Sequence, residues 1–156
     1  MTDLDDLLKE ALNSELEAKK FYENASVKAQ SQAGKKLFRE LAEFEQNHYE
    51  RVHEIIKSRN KKIHLEKSKS TQDNLSINPE VKGEFEPNKD EIVTVLNLAI
   101  DSEKKARERY EKIAKMIDDR ESREIFFNLS QEEKNHQKIL EDQFYQLSNK
   151  GTIIWD

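Results

Sequence analysis

The chain carries the pattern Glu-x-x-His at two places related by a single shift of 88 positions. Glu45-Gln46-Asn47-His48 recurs as Glu133-Lys134-Asn135-His136. The same shift aligns an earlier segment, in which Ala11, Ser14, Glu15, Ala18, Tyr22 and Glu23 recur as Ala99, Ser102, Glu103, Ala106, Tyr110 and Glu111. One offset without gaps that relates two separate segments indicates an internal duplication. The fold should therefore contain two copies of one structural unit.

Each copy is predicted to be a pair of amphipathic helices. In all four segments the inward-facing residues recur in steps of three and four, which keep them on one side of a helix. In the first helix these residues are Leu4, Leu8, Ala11, Glu15, Ala18, Tyr22 and Ala25. Only three glycines and two prolines occur in 156 residues, and this scarcity of helix breakers favours long helices.

The segments predict one domain, residues 1–156, with helix pairs at about 2–58 and 89–150. A polar linker at about 59–88 joins the pairs, and an apolar tail at 151–156 is expected to pack on the bundle or on a partner subunit. Thr2 and Asn88 are predicted to cap the first and third helices, and Gly151 to end the fourth.

The length of the linker indicates how the two helix pairs are arranged. If the second and third helices are parallel, the linker must cross the whole bundle, about 40 Å for a helix of about 27 residues. An extended chain advances about 3.3 Å per residue and covers that distance easily. The predicted fold is therefore all-α: a four-helix bundle of two antiparallel hairpins joined by a long crossover.

Each inward face carries a carboxylate at its midpoint: Glu15, Glu45, Glu103 and Glu133. Burying an unpaired carboxylate costs several kcal/mol, and the inward faces offer no lysine or arginine as partner. Two divalent cations would balance four carboxylates. His48 and His136 each lie three residues after a glutamate, so that both side chains of a pair can bind one ion. Oxygen donors with one nitrogen per metal suit iron(II) or manganese, with zinc as a substitute.

Composition excludes several other classes of protein. The chain has no cysteine, which excludes disulfides, thiol catalysis and cysteine-bound clusters. A net charge of −5 without a basic block gives no reason to expect nucleic acid as a partner. Neither a secretory signal nor an apolar run of about 18 residues is visible, so that a cytoplasmic protein without a membrane segment is expected.

The spacing alone is a weak signal, because Glu50 and His53 have it too. Neither residue falls on the inward face of its helix, and we predict that both are exposed to solvent. His64 lies in the linker without a ligand at metal-binding spacing and is also expected to be exposed.

The paired residues resemble those of ferritin-like di-iron carboxylate proteins, most closely the rubrerythrin branch in a short form without a rubredoxin domain. The resemblance is carried by Glu15 with Tyr22, Glu45 with His48, Glu103 with Tyr110, and Glu133 with His136. It implies a ferritin-like bundle holding two iron ions, bridged by Glu45 and Glu133 and bound terminally by Glu15, His48, Glu103 and His136. Tyr22 and Tyr110 would donate hydrogen bonds to ligand carboxylates.

The resemblance also implies an activity. Such a protein would be a non-haem di-iron oxidoreductase that reduces peroxide or dioxygen, or oxidises iron(II), in oxidative-stress defence. An external electron donor, a rubredoxin-like protein or a reductase, would re-reduce it, and the long linker permits a homodimer with exchanged hairpins. Rubrerythrins proper carry a further glutamate where this chain has Ala106. The alternatives are iron storage of the ferritin type and a bundle with purely structural metals.

Overall fold

The computed structural model describes residues 3–61 and 83–155. Within them are four long helices, α1 (Leu4–Lys28), α2 (Gln32–Lys61), α3 (Lys89–Met116) and α4 (Arg120–Lys150), and two short strands, β1 (Glu84–Phe85) and β2 (Thr152–Ile153). α1 packs mainly against α2, and α3 mainly against α4, while α1 also contacts α3. The predicted ferritin-like four-helix bundle of two helix hairpins is confirmed. No helix among the described residues is long and apolar enough to cross a membrane.

Two apolar cores fill the bundle, one on each side of a buried polar layer. The first core takes residues from the N-terminal halves of α2 and α3, such as Leu37 and Leu96, and from the C-terminal halves of α1 and α4. The second core takes the opposite halves, such as Val52 and Ile113. Because α2 and α3 both run from the first core to the second, they are parallel. The end of α2 and the start of α3 therefore lie at opposite ends of the bundle, which is the arrangement that the predicted crossover requires.

The ends of the helices partly match the predictions. α1 begins at Leu4 rather than Thr2, which lies outside the described residues, because the Asp3 side chain accepts a hydrogen bond from the Asp6 N–H and caps the helix. Asn88 stands at the N-cap of α3, but its side chain caps no backbone N–H of that helix; its amide donates to Glu91 Oε2 at 3.0 Å. Gly151 ends α4 with a left-handed φ of 70°, as predicted.

The structure adds two details to the predicted linker, about 59–88. α2 continues to Lys61, and residues 84–85 form β1, which pairs antiparallel with β2 through Glu84↔Ile153 and Phe85↔Thr152. The local sequence could not reveal this strand, since its partner comes from the other end of the chain. His64 lies outside the described residues.

The apolar tail packs on the bundle of its own chain. Ile153 and Trp155 are buried in the first core, and Trp155 Nε1 donates to Glu40 Oε2 at 2.6 Å. The Gln143 side chain bonds both the N–H and the carbonyl oxygen of Ile154, at 3.1 and 2.8 Å. Of the two expected positions of the tail, the structure shows the one on the bundle.

Candidate metal centre

The polar layer contains all six residues predicted as metal ligands. α1 and α3 contribute Glu15 and Glu103, and α2 and α4 contribute the two Glu-x-x-His pairs. Each of the six is at most 2% exposed. Their burial follows from helix geometry, because the glutamates lie on the inward apolar faces and each histidine follows one turn later on the same side.

The ligand atoms fall into two overlapping groups. Glu15, Glu45, His48 and Glu133 form one, and Glu45, Glu103, Glu133 and His136 form the other; within each group the ligand atoms lie within 4.8 Å of one another. Glu45 and Glu133 belong to both. Each group thus contains three carboxylates and one imidazole, and the two groups share two carboxylates. This is the composition of a two-metal site with two bridging ligands.

Both imidazoles present Nδ1 to the carboxylates. His48 Nδ1 lies 2.6 Å from Glu133 Oε1 and 3.6 Å from Glu45 Oε2. His136 Nδ1 lies 3.8 Å from both Glu45 Oε1 and Glu103 Oε2. The two rings are stacked, with centroids 5.7 Å apart. Ligands that bind one ion at about 2.0–2.2 Å lie at most a little over 4 Å from each other, so most of these separations suit a shared ion.

Several carboxylate oxygens of the polar layer lack the partners that buried charges need. Glu15 Oε2, Glu45 Oε1, Glu103 Oε2 and both oxygens of Glu133 accept no hydrogen bond from the described residues. Burial, together with the charges of Glu103 and Glu15, raises the pKa of Glu45 well above its usual value. Two divalent cations would remove this repulsion. The residues present therefore fit a pair of iron or manganese ions.

Two tyrosines hold the terminal glutamates from across the bundle. Tyr22 of α1 donates to Glu103 Oε1 of α3 at 2.5 Å, and Tyr110 of α3 donates to Glu15 Oε1 of α1. Burial, and then the neighbouring carboxylates, raise the pKa of both hydroxyl groups well above the usual value, so both remain protonated donors. Each tyrosine thus leaves one oxygen of its glutamate available to a metal.

A buried ion pair behind His48 was not predicted from the sequence. Arg51, only 6% exposed, donates to Glu132 Oε2 at 2.7 Å, and Glu132 Oε1 lies 3.8 Å from His48 Nε2. Burial alone would lower the pKa of His48, but the carboxylates of Glu132 and Glu15 raise it overall. The signal was present in the sequence, because Arg51 follows His48 by three residues and Glu132 immediately precedes a predicted ligand.

The Glu132–Arg51 pair is not repeated in the other half of the bundle. The 88-residue shift places Phe44 where Glu132 stands and Ile139 where Arg51 stands. The Phe44 ring meets the His136 ring edge-on, with centroids 5.3 Å apart. The duplication therefore preserves the ligand residues while the surroundings of the two histidines differ.

Glu50 and His53 are exposed, as predicted. His53 stacks on the Tyr49 ring with a centroid distance of 5.9 Å, away from the polar layer. The Glu-x-x-His spacing alone does not distinguish Glu50 and His53 from the two buried Glu-x-x-His pairs. The position of Glu50 and His53 on the exposed side of α2 does.

A four-helix bundle with four carboxylates and two histidines at its centre defines a ferritin-like carboxylate protein. The family model described as Rubrerythrin matches residues 6–142, and the chain belongs to the rubrerythrin family. Among solved structures, a hypothetical protein from Pyrococcus furiosus shares the fold with a TM-score of 0.73 and 22% identity, over 94% of this chain and 91% of that one. None of the curated proteins matches this chain.

Proposed function

We propose that the chain is a di-iron oxidoreductase that reduces peroxides or dioxygen, or oxidises iron(II), in oxidative-stress defence. The observation that carries the proposal is the pair of overlapping four-residue groups that share Glu45 and Glu133. Glu45 and Glu133 would bridge the ions, with Glu15 and His48 on one and Glu103 and His136 on the other. Manganese or zinc could occupy the same ligands.

The chain's own residues would prepare this site for redox chemistry. When bound, two ferrous ions supply two electrons to an O–O bond. Tyr22 and Tyr110 fix the orientation of Glu103 and Glu15 and hold protons close to the carboxylates. The apolar cores on either side limit the access of water along the bundle axis. Electrons would come from an external rubredoxin-like protein or reductase, in a cytoplasmic protein that can form a homodimer.

Metal analysis combined with peroxide turnover tests the proposal. Protein purified after expression in iron-rich medium should contain about two iron ions per chain and, with a chemical reductant, consume hydrogen peroxide or dioxygen. An absence of bound metal would contradict the site. Full iron loading without any reaction towards peroxide or dioxygen would instead favour purely structural metals, and a large hollow oligomer in sedimentation would favour storage.

Replacing Glu132 by glutamine should weaken the binding of one metal ion. Glu132 lies behind His48, and a carboxylate in that position orients a ligand imidazole and raises its basicity. Loss of such a partner costs about 10- to 100-fold in metal affinity. Competition with a chromophoric chelator should resolve one weakened and one unchanged ion. The exposed Glu50→Gln serves as the control, and equal weakening of both ions by Glu132→Gln would contradict a role specific to His48.

A further inference from the structure

A cavity of about 370 Å³ lies between α1 and α3 and reaches the polar layer. Its floor is formed by the four inward carboxylates, Glu15, Glu45, Glu103 and Glu133. It is thus the space through which a molecule from solvent can reach the proposed metal ions from the side of the bundle.

Two alanines leave space between α1 and α3 at the level just beyond the floor carboxylates. Ala18 and Ala106, related by the 88-residue shift, both line it. Each lies one turn after a floor carboxylate, and both are half-buried although the adjacent inward residues are fully buried. The hydrogen bonds of Tyr22 to Glu103 and of Tyr110 to Glu15 join α1 to α3 on either side of the cavity. These bonds oppose any movement of the helices that would fill the space.

The walls of the cavity carry an apolar patch among polar side chains, which include Ser14, Glu17, Ser102 and Arg109. Besides the two alanine methyl groups, Phe21 and Leu98 line it, and Leu98 is an exposed hydrophobic residue, with 56% of its surface accessible. Charged groups lie towards the mouth, where Lys105 pairs with Asp101 at 2.9 Å. The apolar patch beside a carboxylate floor suits a ligand that has one hydrocarbon part and one polar part.

The volume exceeds what hydrogen peroxide requires. A water molecule occupies about 30 Å³ in the liquid, and hydrogen peroxide has only one oxygen atom more. The cavity of about 370 Å³ falls instead in the range of roughly 300–1,000 Å³ that is typical of sites for organic ligands.

We propose that this cavity binds organic hydroperoxides. The hydrocarbon group would lie against Ala18, Phe21, Leu98 and Ala106, and the hydroperoxide group would face the carboxylate floor. The reduction would break the O–O bond: the hydroperoxide would take up two electrons, which two bound ferrous ions could supply, and two protons, and would leave as an alcohol and water. The external donor then returns two electrons. This inference rests on the proposed function, because it names the substrate class of the same site.

Narrowing the cavity tests the proposal. Ala106→Leu adds three carbon atoms to one wall without touching a floor carboxylate, and Ala18→Leu does so on the opposite wall. Each variant should lower kcat/KM for cumene hydroperoxide by a factor at least about tenfold larger than the factor by which it lowers kcat/KM for hydrogen peroxide. The reason is that steric exclusion acts on the larger substrate. Metal content should not change. Lys112→Leu, which places the same side chain on the exposed face of α3, should leave both substrates unaffected.

A binding measurement separates this inference from the proposed function. Saturation-transfer NMR on the zinc-loaded protein should detect 2-phenyl-2-propanol, the alcohol product, and the signal should be lost in Ala106→Leu. If the alcohol binds the wild type but not Ala106→Leu, and the wild type reduces neither peroxide, the inference about the cavity is supported while the proposed function fails. Turnover of hydrogen peroxide alone, with no binding of the alcohol, overturns the inference and leaves the function intact. An equal loss of turnover for both substrates in Ala106→Leu also overturns it.

Discussion

Replacing Glu45 by glutamine should abolish tight metal binding and at the same time stabilise the metal-free protein. Glu45 belongs to both four-residue groups and is 1% exposed, so that its loss removes a ligand from each ion. Even the loss of a residue that only orients a ligand costs about 10- to 100-fold in affinity, and the loss of a bridging carboxylate should exceed about 100-fold for both ions.

The opposite effect on the metal-free protein follows from the charges of the polar layer. Burial and the neighbouring Glu103 and Glu15 raise the pKa of Glu45 well above its usual value. At every pH above the pKa of an unfolded glutamate, about 4.3, folding therefore has to bury the charge of Glu45 or bind a proton, and either destabilises the fold. Glutamine has the shape of the carboxyl group without the charge. We expect a gain of about 1–2 kcal/mol, or roughly 2–8 °C in Tm for a domain of this size.

Calorimetry with and without metal checks both parts. In the wild type, two bound ions should raise Tm strongly, because ligands that bind only the folded state stabilise it. In Glu45→Gln that increase should disappear, while the metal-free Tm lies above that of the wild type. Glu50→Gln, on the exposed face of the same helix, should change neither value. A metal-free variant that is less stable than the wild type would show that Glu45 serves the fold rather than a metal.

The sequence predicted the six candidate ligands because helical periodicity is local. Once Glu15 is placed among apolar residues at steps of three and four, its inward direction is fixed, and the 88-residue shift extends the argument to Glu103. Arg51 and Glu132 were not found, since they lie beside the inward faces and meet only after two helices pack. Ala18 and Ala106 were assigned to the core by their positions. Only the spacing between α1 and α3 shows that they line a cavity.

The other feature hidden from the sequence is a buried carboxylate at the end of the crossover. Glu86 has no exposed surface and accepts hydrogen bonds from the N–H groups of Gln30, Ser31 and Asn88 and from Ser31 Oγ, at 2.8–3.1 Å. A Cβ at Gly34 would lie 3.0 Å from its Oε1, so glycine permits this close approach. Glu86 thereby connects the turn between α1 and α2 to the start of α3.

Replacing Glu86 by alanine should therefore destabilise the fold strongly. Hydrogen bonds to a charged group each contribute about 1.5–3 kcal/mol, and the donors left behind would be buried without an acceptor. We expect a loss of about 3–5 kcal/mol, measured by urea denaturation of the metal-free protein. Glu84→Ala is the matched control: its exposed carboxylate accepts from Gln32 and Ala33 N–H at the start of α2, and its removal should cost about 1 kcal/mol.

The loss in Glu86→Ala should also depend on pH in one direction. Burial alone would raise the pKa of Glu86, but the hydrogen bonds from Asn88, Gln30 and Ser31 lower it below its usual value. The contribution of a carboxylate with a lowered pKa is complete above the unfolded value of about 4.3 and declines as the pH falls through the folded value. The difference in unfolding free energy between wild type and Glu86→Ala should thus be constant from about pH 6 to about pH 8. It should shrink below about pH 4. A difference that grows on acidification would mean that Glu86 is protonated in the fold and acts as a donor.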